Sequence, residues 1–177
     1  DASNDCTVIG SPCLTVAHAV SQSSAGDTIN IAAGVYPANL TIEINLGING
    51  AGIDATFLDG SAVQAPVVHT WAGTTVNIAN LTIRNGYSSG SGGGIYSQGA
   101  LVLAQVRVAH NTALGGGGGI AANNSLSMIN SSVSANWAMD VGGGIHLAFG
   151  ATHTLTNVTV NGNSAGSGAG GIHLQGA

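Results

Sequence analysis

Gly92-Gly93-Gly94-Ile95 returns as Gly117-Gly118-Gly119-Ile120, as Gly142-Gly143-Gly144-Ile145 and, shortened, as Gly170-Gly171-Ile172. The motif thus recurs at a near-constant interval of about 25 residues, and a fixed period of this size marks a solenoid, in which each repeat is one unit that cannot bury its apolar face alone. Alternating apolar pairs follow the first three isoleucines, Leu101/Leu103, Leu126/Met128 and the weaker His153/Leu155, with Val76/Ile78 as an earlier copy. A second set comes next: Leu81/Ile83, Val106/Val108, Val133 alone, and Val158/Val160. Each repeat then reaches Asn111-Thr112-Ala113, Asn136-Trp137-Ala138 or Asn163-Ser164-Ala165. Alternation at period two is strand behaviour. The spacing therefore predicts three short strands per repeat, with Ile95, Ile120, Ile145 and Ile172 stacked in one buried column. The glycine runs read as corner turns: no Lys-Ser/Thr follows them, as a phosphate loop would require.

Working back toward the N-terminus, Ile29 and Ile31 open a first coil, Leu40, Ile42 and Ile44 supply its second strand, and Leu46 and Ile48 its third. Residues 53–72 are less regular. The count comes to about five complete coils and the start of a sixth, or roughly 25 Å at the inter-strand spacing. Leu14 to Gln22 is the one helical candidate, with Val16, Ala17 and Val20 as its apolar face. A helix there lies over the first coil as a lid on an exposed strand edge. Residues 1–25 thus form a disulfide arm and capping helix, and residues 26–177 the β-helix.

Composition narrows the function classes. Only 5% of the 177 residues are charged, there is no lysine, and the two cations are Arg84 and Arg107. Nucleic acid is excluded as a partner, because phosphate binding needs a basic patch. The surface must be Ser, Thr, Asn, Gln and Gly. Cys6 and Cys13, an even and closely spaced pair, read as a disulfide made in an oxidising compartment. No apolar run reaches the length of a transmembrane helix, and Asp1 reads as a start left by signal removal. The sequons at Asn39, Asn80, Asn123, Asn130 and Asn157 are what chance produces in a chain this rich in Asn and Thr.

Cys13-Leu-Thr-Val-Ala-His-Ala-Val, Gly26-Asp-Thr-Ile-Asn-Ile-Ala-Ala-Gly-Val-Tyr and Leu46-Gly-Ile-Asn-Gly-Ala-Gly resemble the opening of bacterial secreted right-handed parallel β-helix proteins. The GGGI…N-x-A repeats resemble those of polymorphic outer-membrane proteins and autotransporter passengers. The resemblance covers nearly the whole chain. It implies an all-β, single-stranded right-handed parallel β-helix with coils of about 25 residues, a short N-terminal capping helix, and a secreted or cell-surface location. It leaves function open, since such helices serve as adhesins, surface structures and polysaccharide-cleaving enzymes. Those relatives are usually longer and carry a C-terminal anchor or barrel.

On that frame the polar and aromatic residues fall into a few groups. Asn111, Asn136 and Asn163 share one register, and Asn80, Gln105, Asn130 and Asn157 another; stacked amides form structural ladders. A pectate-lyase reading needs clustered acids for Ca²⁺ and a basic proton acceptor. The acids after the first coil are Asp54, Asp59 and Asp140, with Arg84 and Arg107 in adjacent coils at different registers. Only Asp54 and Asp59 lie close enough in sequence to work as a pair. His146 and His173 are expected as solvated neighbours on the outer face, without a third metal ligand. Tyr96, Trp71 and Trp137 are candidates for stacking on sugars. The column Thr82, Arg107, Ser132, Thr159 points outward, and Arg107 interrupts it as an ice-binding face. No catalytic, cofactor or metal residues are assigned. The expected role is a non-enzymatic extracellular structural or adhesive protein, either a head-to-tail fibre subunit or a fragment of a longer surface protein, with a polysaccharide-binding or polysaccharide-cleaving β-helix as the alternative. Its partners are a carbohydrate or cell-surface ligand at Tyr96, Trp137, His146 and His173, or further copies joined head to tail at Ile172 and Leu174, since uncapped coil ends expose strand edges.

Overall fold

The computed structural model describes Asn4, Cys6, Thr7 and residues 10–176. Asp1, with its expected processed start, and the other positions of the arm and of the C-terminus lie outside the described residues. The chain is an all-β right-handed parallel solenoid of six coils. Every strand pairs in parallel with its counterpart one coil away. Val102, for example, pairs with Asn77 in the coil before it and with Ser127 in the coil after. The spacing visible in the glycine motif is therefore one turn of the stack.

Three strand-bearing faces close each of the last four coils. The first carries a long strand, such as Ala100–Ala109, in which the two apolar pairs expected from sequence run together. It bends at Gln105, which has φ +55°, and Asn80, Asn130 and Asn157 occupy the same left-handed bend in their coils. Asn tolerates that conformation better than most residues, so this register is fixed by backbone as well as by amide bonding. The second face is a two-residue strand at Thr112–Ala113, Trp137–Ala138 and Ser164–Ala165. The third holds the motif isoleucines. Leu40, Val68, Ile95, Ile120, Ile145 and Ile172 form one column. All are buried except Ile172, in the last coil. The core is otherwise mainly Leu, Ile and Val from the first and third faces, and the second face turns in only small residues, Ser88, Ala113 and Ala138.

The glycines of the motif serve three separate needs. Gly92, Gly117 and Gly142 have φ between +63° and +70°, the left-handed region. A Cβ on the second glycine, as at Gly118, would strike the backbone carbonyl of Trp137. A Cβ on the third, as at Gly119, would lie 2.9 Å from the Asn136 amide. The triple glycine thus lets the chain turn sharply while packed against the asparagine ladder.

The first two coils depart from the sequence reading. Leu46–Asn49 pairs with Thr28–Asn30, so Leu46 and Ile48 begin the second coil instead of ending the first. Thr28 pairs with Gly47 and Gly47 with Asn77, so the first coil is shorter than the later repeat and the second is longer. Gly34–Pro37 and Thr56–Asp59 continue the first face at this end. The helix runs from Val16 to Gln22, starting later than expected, because the Thr15 hydroxyl caps it by accepting from the His18 N–H. Val16 and Ala19 are its buried residues, and Ala17 faces solvent. It packs against Leu40–Ile42. Cys6 and Cys13 are joined in a disulfide with Cα atoms 5.1 Å apart.

Candidate functional site

Three groups of side chains carry the chemistry that the surface offers. The first is acidic. Asp59 lies in Thr56–Asp59, next to the coil that ends its long strand with Arg84. Its Oδ2 accepts from Arg84 Nε at 2.8 Å and from Asn85 Nδ2 at 2.9 Å, and its Oδ1 accepts from the Ser61 N–H at 3.1 Å. The guanidinium also sits 4.4 Å from the centre of the Phe57 ring. Burial pushes the Asp59 carboxyl up, but the bonds from Ser61, Arg84 and Asn85 together hold it below its ordinary value of 3.8. Asp54 is engaged separately, at 2.7 Å from Arg107. Asp54 and Asp59 each have their own arginine, and Asp140 stands apart beside His146. A lyase needs one face where carboxylates are left for Ca²⁺ and a base is left for the proton. Here both arginines serve as counter-ions. The period offered a signal for the first pair: Asp59 and Arg84 stand one full repeat apart in the sequence, hence side by side in adjacent coils.

The second group is the histidine pair. His146 and His173 are register partners with ring centroids 5.1 Å apart. They are half-buried, not freely solvated as the sequence suggested. A Cβ on Gly116 would come within 2.5 Å of His146 Nδ1, so the ring rests against that glycine. His146 Nε2 and His173 Nδ1 are sheltered from water without hydrogen-bond partners. Burial lowers the His146 pKa, the neighbouring His173 lowers it further, and Asp140 opposes both. Among the described residues, the one triad of potential ligand atoms within 4.8 Å is Cys6, Cys13 and His18, whose sulfurs are bonded to each other.

The third group is aromatic. Trp71, His69 and Tyr96 meet at the edge of the third face: His69 stacks on Trp71 with centroids 5.9 Å apart and lies 5.1 Å from Tyr96. Asn123, one coil further on, donates to the Tyr96 hydroxyl at 3.0 Å. The sequence does not single out His69, because Val68, its neighbour in the isoleucine column, follows no glycine triplet. Trp137 lies on the second face and is partly exposed.

The remaining positions are occupied by structure. Thr82 pairs with Arg107 as expected, yet it does not point to solvent: it is buried, with its hydroxyl donating to the Ile53 carbonyl at 2.5 Å. The segment before Thr56 covers it, and no flat threonine row exists there. Asn39, Asn80, Asn123 and Asn157 all use their side-chain amides as donors within the chain. Among the described residues no helix is long and apolar enough to cross a membrane. No protein-family model matches the chain, and no curated protein or solved structure matches it either.

Proposed function

We propose that the chain is a non-enzymatic extracellular β-helix with a structural or adhesive role. The observation that carries this reading is the pairing of both arginines with Asp59 and Asp54. It occupies the charges a lyase or hydrolase would use in contacts between coils: Asp59 and Arg84 join adjacent coils, and Arg107 reaches two coils back to Asp54. The disulfide is compatible with an oxidising compartment. The outer surface, poor in charge and carrying exposed apolar side chains such as Ile129, Met139 and Phe149 among its hydroxyls and amides, offers broad faces for display. Head-to-tail contact belongs to the same proposal. Ile172 and Leu174, exposed by 39% and 61%, are the apolar residues such a contact would cover. At the opposite end the helix packs against the Leu40–Ile42 strand, and Thr28–Asn30 is the terminal strand of its sheet, where such a contact would form.

The test has two readouts on the purified protein. Incubated with polygalacturonate and Ca²⁺, it should release no unsaturated sugar; mixed with intact bacterial and host cells, it should be retained on a cell surface or self-assemble. Release of unsaturated product, abolished by Asp59→Asn, would overturn the proposal.

A further inference from the structure

The aromatic cluster has a use that the stack itself does not require. The chain holds only seven Phe, Trp and Tyr residues. Its core is filled by Leu, Ile and Val columns. Two of those seven rings and a histidine nevertheless converge on the outer edge of one face, across successive coils.

The platform is held in place from below. The Trp71 backbone N–H donates to the Ile42 carbonyl at 3.0 Å, and the Trp71 backbone carbonyl accepts from the Thr74 hydroxyl at 2.7 Å. This tight turn fixes the base of the indole. His69 stacks on the indole at an interplanar angle of 21°. Trp71 remains 47% exposed. Asn123 fixes the tip of Tyr96. From the coil of Trp71 to the coil of Asn123 the assembly spans two coil spacings, about 10 Å along the stack.

We propose that Trp71, His69, Tyr96 and Asn123 form a binding subsite for a neutral pyranose chain. This rests on the adhesive half of the function proposed above. A rigid, partly exposed aromatic surface matches the apolar C–H face of a pyranose, and the amide and phenol beside it match its hydroxyls. Charge decides which saccharides fit. The chain has two cations against seven acidic residues, and both arginines are paired with aspartates. An acidic polysaccharide would find no counter-charge there, whereas a neutral one loses nothing. Rings already held in place also reduce the ordering cost of binding.

Trp71 and Trp137 are the only tryptophans, so Trp137→Phe leaves Trp71 as the sole indole reporter. Titrating this variant with cellohexaose and chitohexaose should shift and quench its emission saturably for at least one of them. Hexagalacturonic acid should leave the emission unchanged. Trp71→Ala should weaken retention on the matching insoluble polysaccharide by about tenfold or more, with an unchanged far-UV spectrum and melting curve. No spectral change with either neutral chain would overturn the proposal, as would equal or stronger response to the galacturonate. If Trp71→Ala still adheres to cells as the parent does, the subsite is wrong and the adhesive reading stands. If the parent adheres to nothing and binds neither sugar, both fall.

Discussion

Asn136→Ala is expected to destabilise the fold by about 3 kcal/mol or more, because it strands several buried polar groups at once. Asn136 is 1% exposed. Its Oδ1 accepts from the Asn111 backbone N–H at 2.9 Å and from Asn111 Nδ2 at 3.0 Å. Its Nδ2 donates to the Val108 carbonyl at 3.0 Å and to Asn163 Oδ1 at 2.9 Å. Alanine fills neither role. The Asn111 N–H loses its acceptor and the Val108 carbonyl loses its side-chain donor, and each buried orphan costs about 1–3 kcal/mol. The same geometry repeats one coil earlier, where Asn111 Oδ1 accepts from the Gly86 N–H. The ladder therefore knits backbone to side chain through successive coils. Equilibrium urea denaturation of the two proteins measures the difference. A loss under about 1 kcal/mol would mean that the ladder is an ornament of the corner and not its tie.

Gly119→Ala should be comparably damaging, and Gly171→Ala, at the same place in the repeat, should be nearly silent in this chain. At Gly119 a Cβ would sit 2.7 Å from the Gly144 carbonyl oxygen, 2.9 Å from Asn136 Nδ2 and 3.0 Å from Val133 Cγ1. A carbonyl in the next coil cannot swing aside without breaking the stack, so the cost is about 3 kcal/mol, at the upper end for an overpacked core. At Gly171 the nearest atom would be Val160 Cγ1, at an ordinary 3.8 Å. Both glycines have backbone conformations that alanine can adopt, so the contrast isolates packing from conformational freedom. Thermal melts of the two variants against the parent provide the comparison. Equal effects at the two sites would remove the steric reading of the motif.

The part of the fold legible in the sequence is the part where backbone meets backbone. Gly-Gly-Gly-Ile announces a corner because no other residue fits against the next coil, and a motif with that constraint repeats visibly. The first two coils carry no such corner. One is shorter than the later repeat and the other longer, which hides the register, and the apolar pattern alone therefore puts Leu46 and Ile48 one strand too early. Burial is harder to read than register. Thr82 falls in the expected row, but the segment that covers it belongs to an irregular coil without a pattern of its own. The Asn80, Gln105, Asn130 and Asn157 row shows only polar character in the sequence; its left-handed backbone is a property of three-dimensional closure. Of the candidate sites, the Asp59–Arg84 pair was in reach through the repeat spacing. Trp71 and Tyr96 were in reach singly as aromatic candidates, but their convergence with His69 was not, because it depends on placing Val68 in the isoleucine column.

The scaffold and its display face both rest on one claim: that one sequence repeat is one turn of the stack. Cysteines at Val102 and Ser127 test it directly. These residues are partners in neighbouring coils on the outer surface of the long face, where adjacent Cα atoms lie within the range that a disulfide spans. Under mild oxidation the Val102→Cys/Ser127→Cys protein should cross-link intramolecularly, and Val102→Cys/Ser125→Cys, shifted out of register along the strand, should remain reduced. Cross-linking of the second pair in preference to the first would contradict the register and the fold built on it.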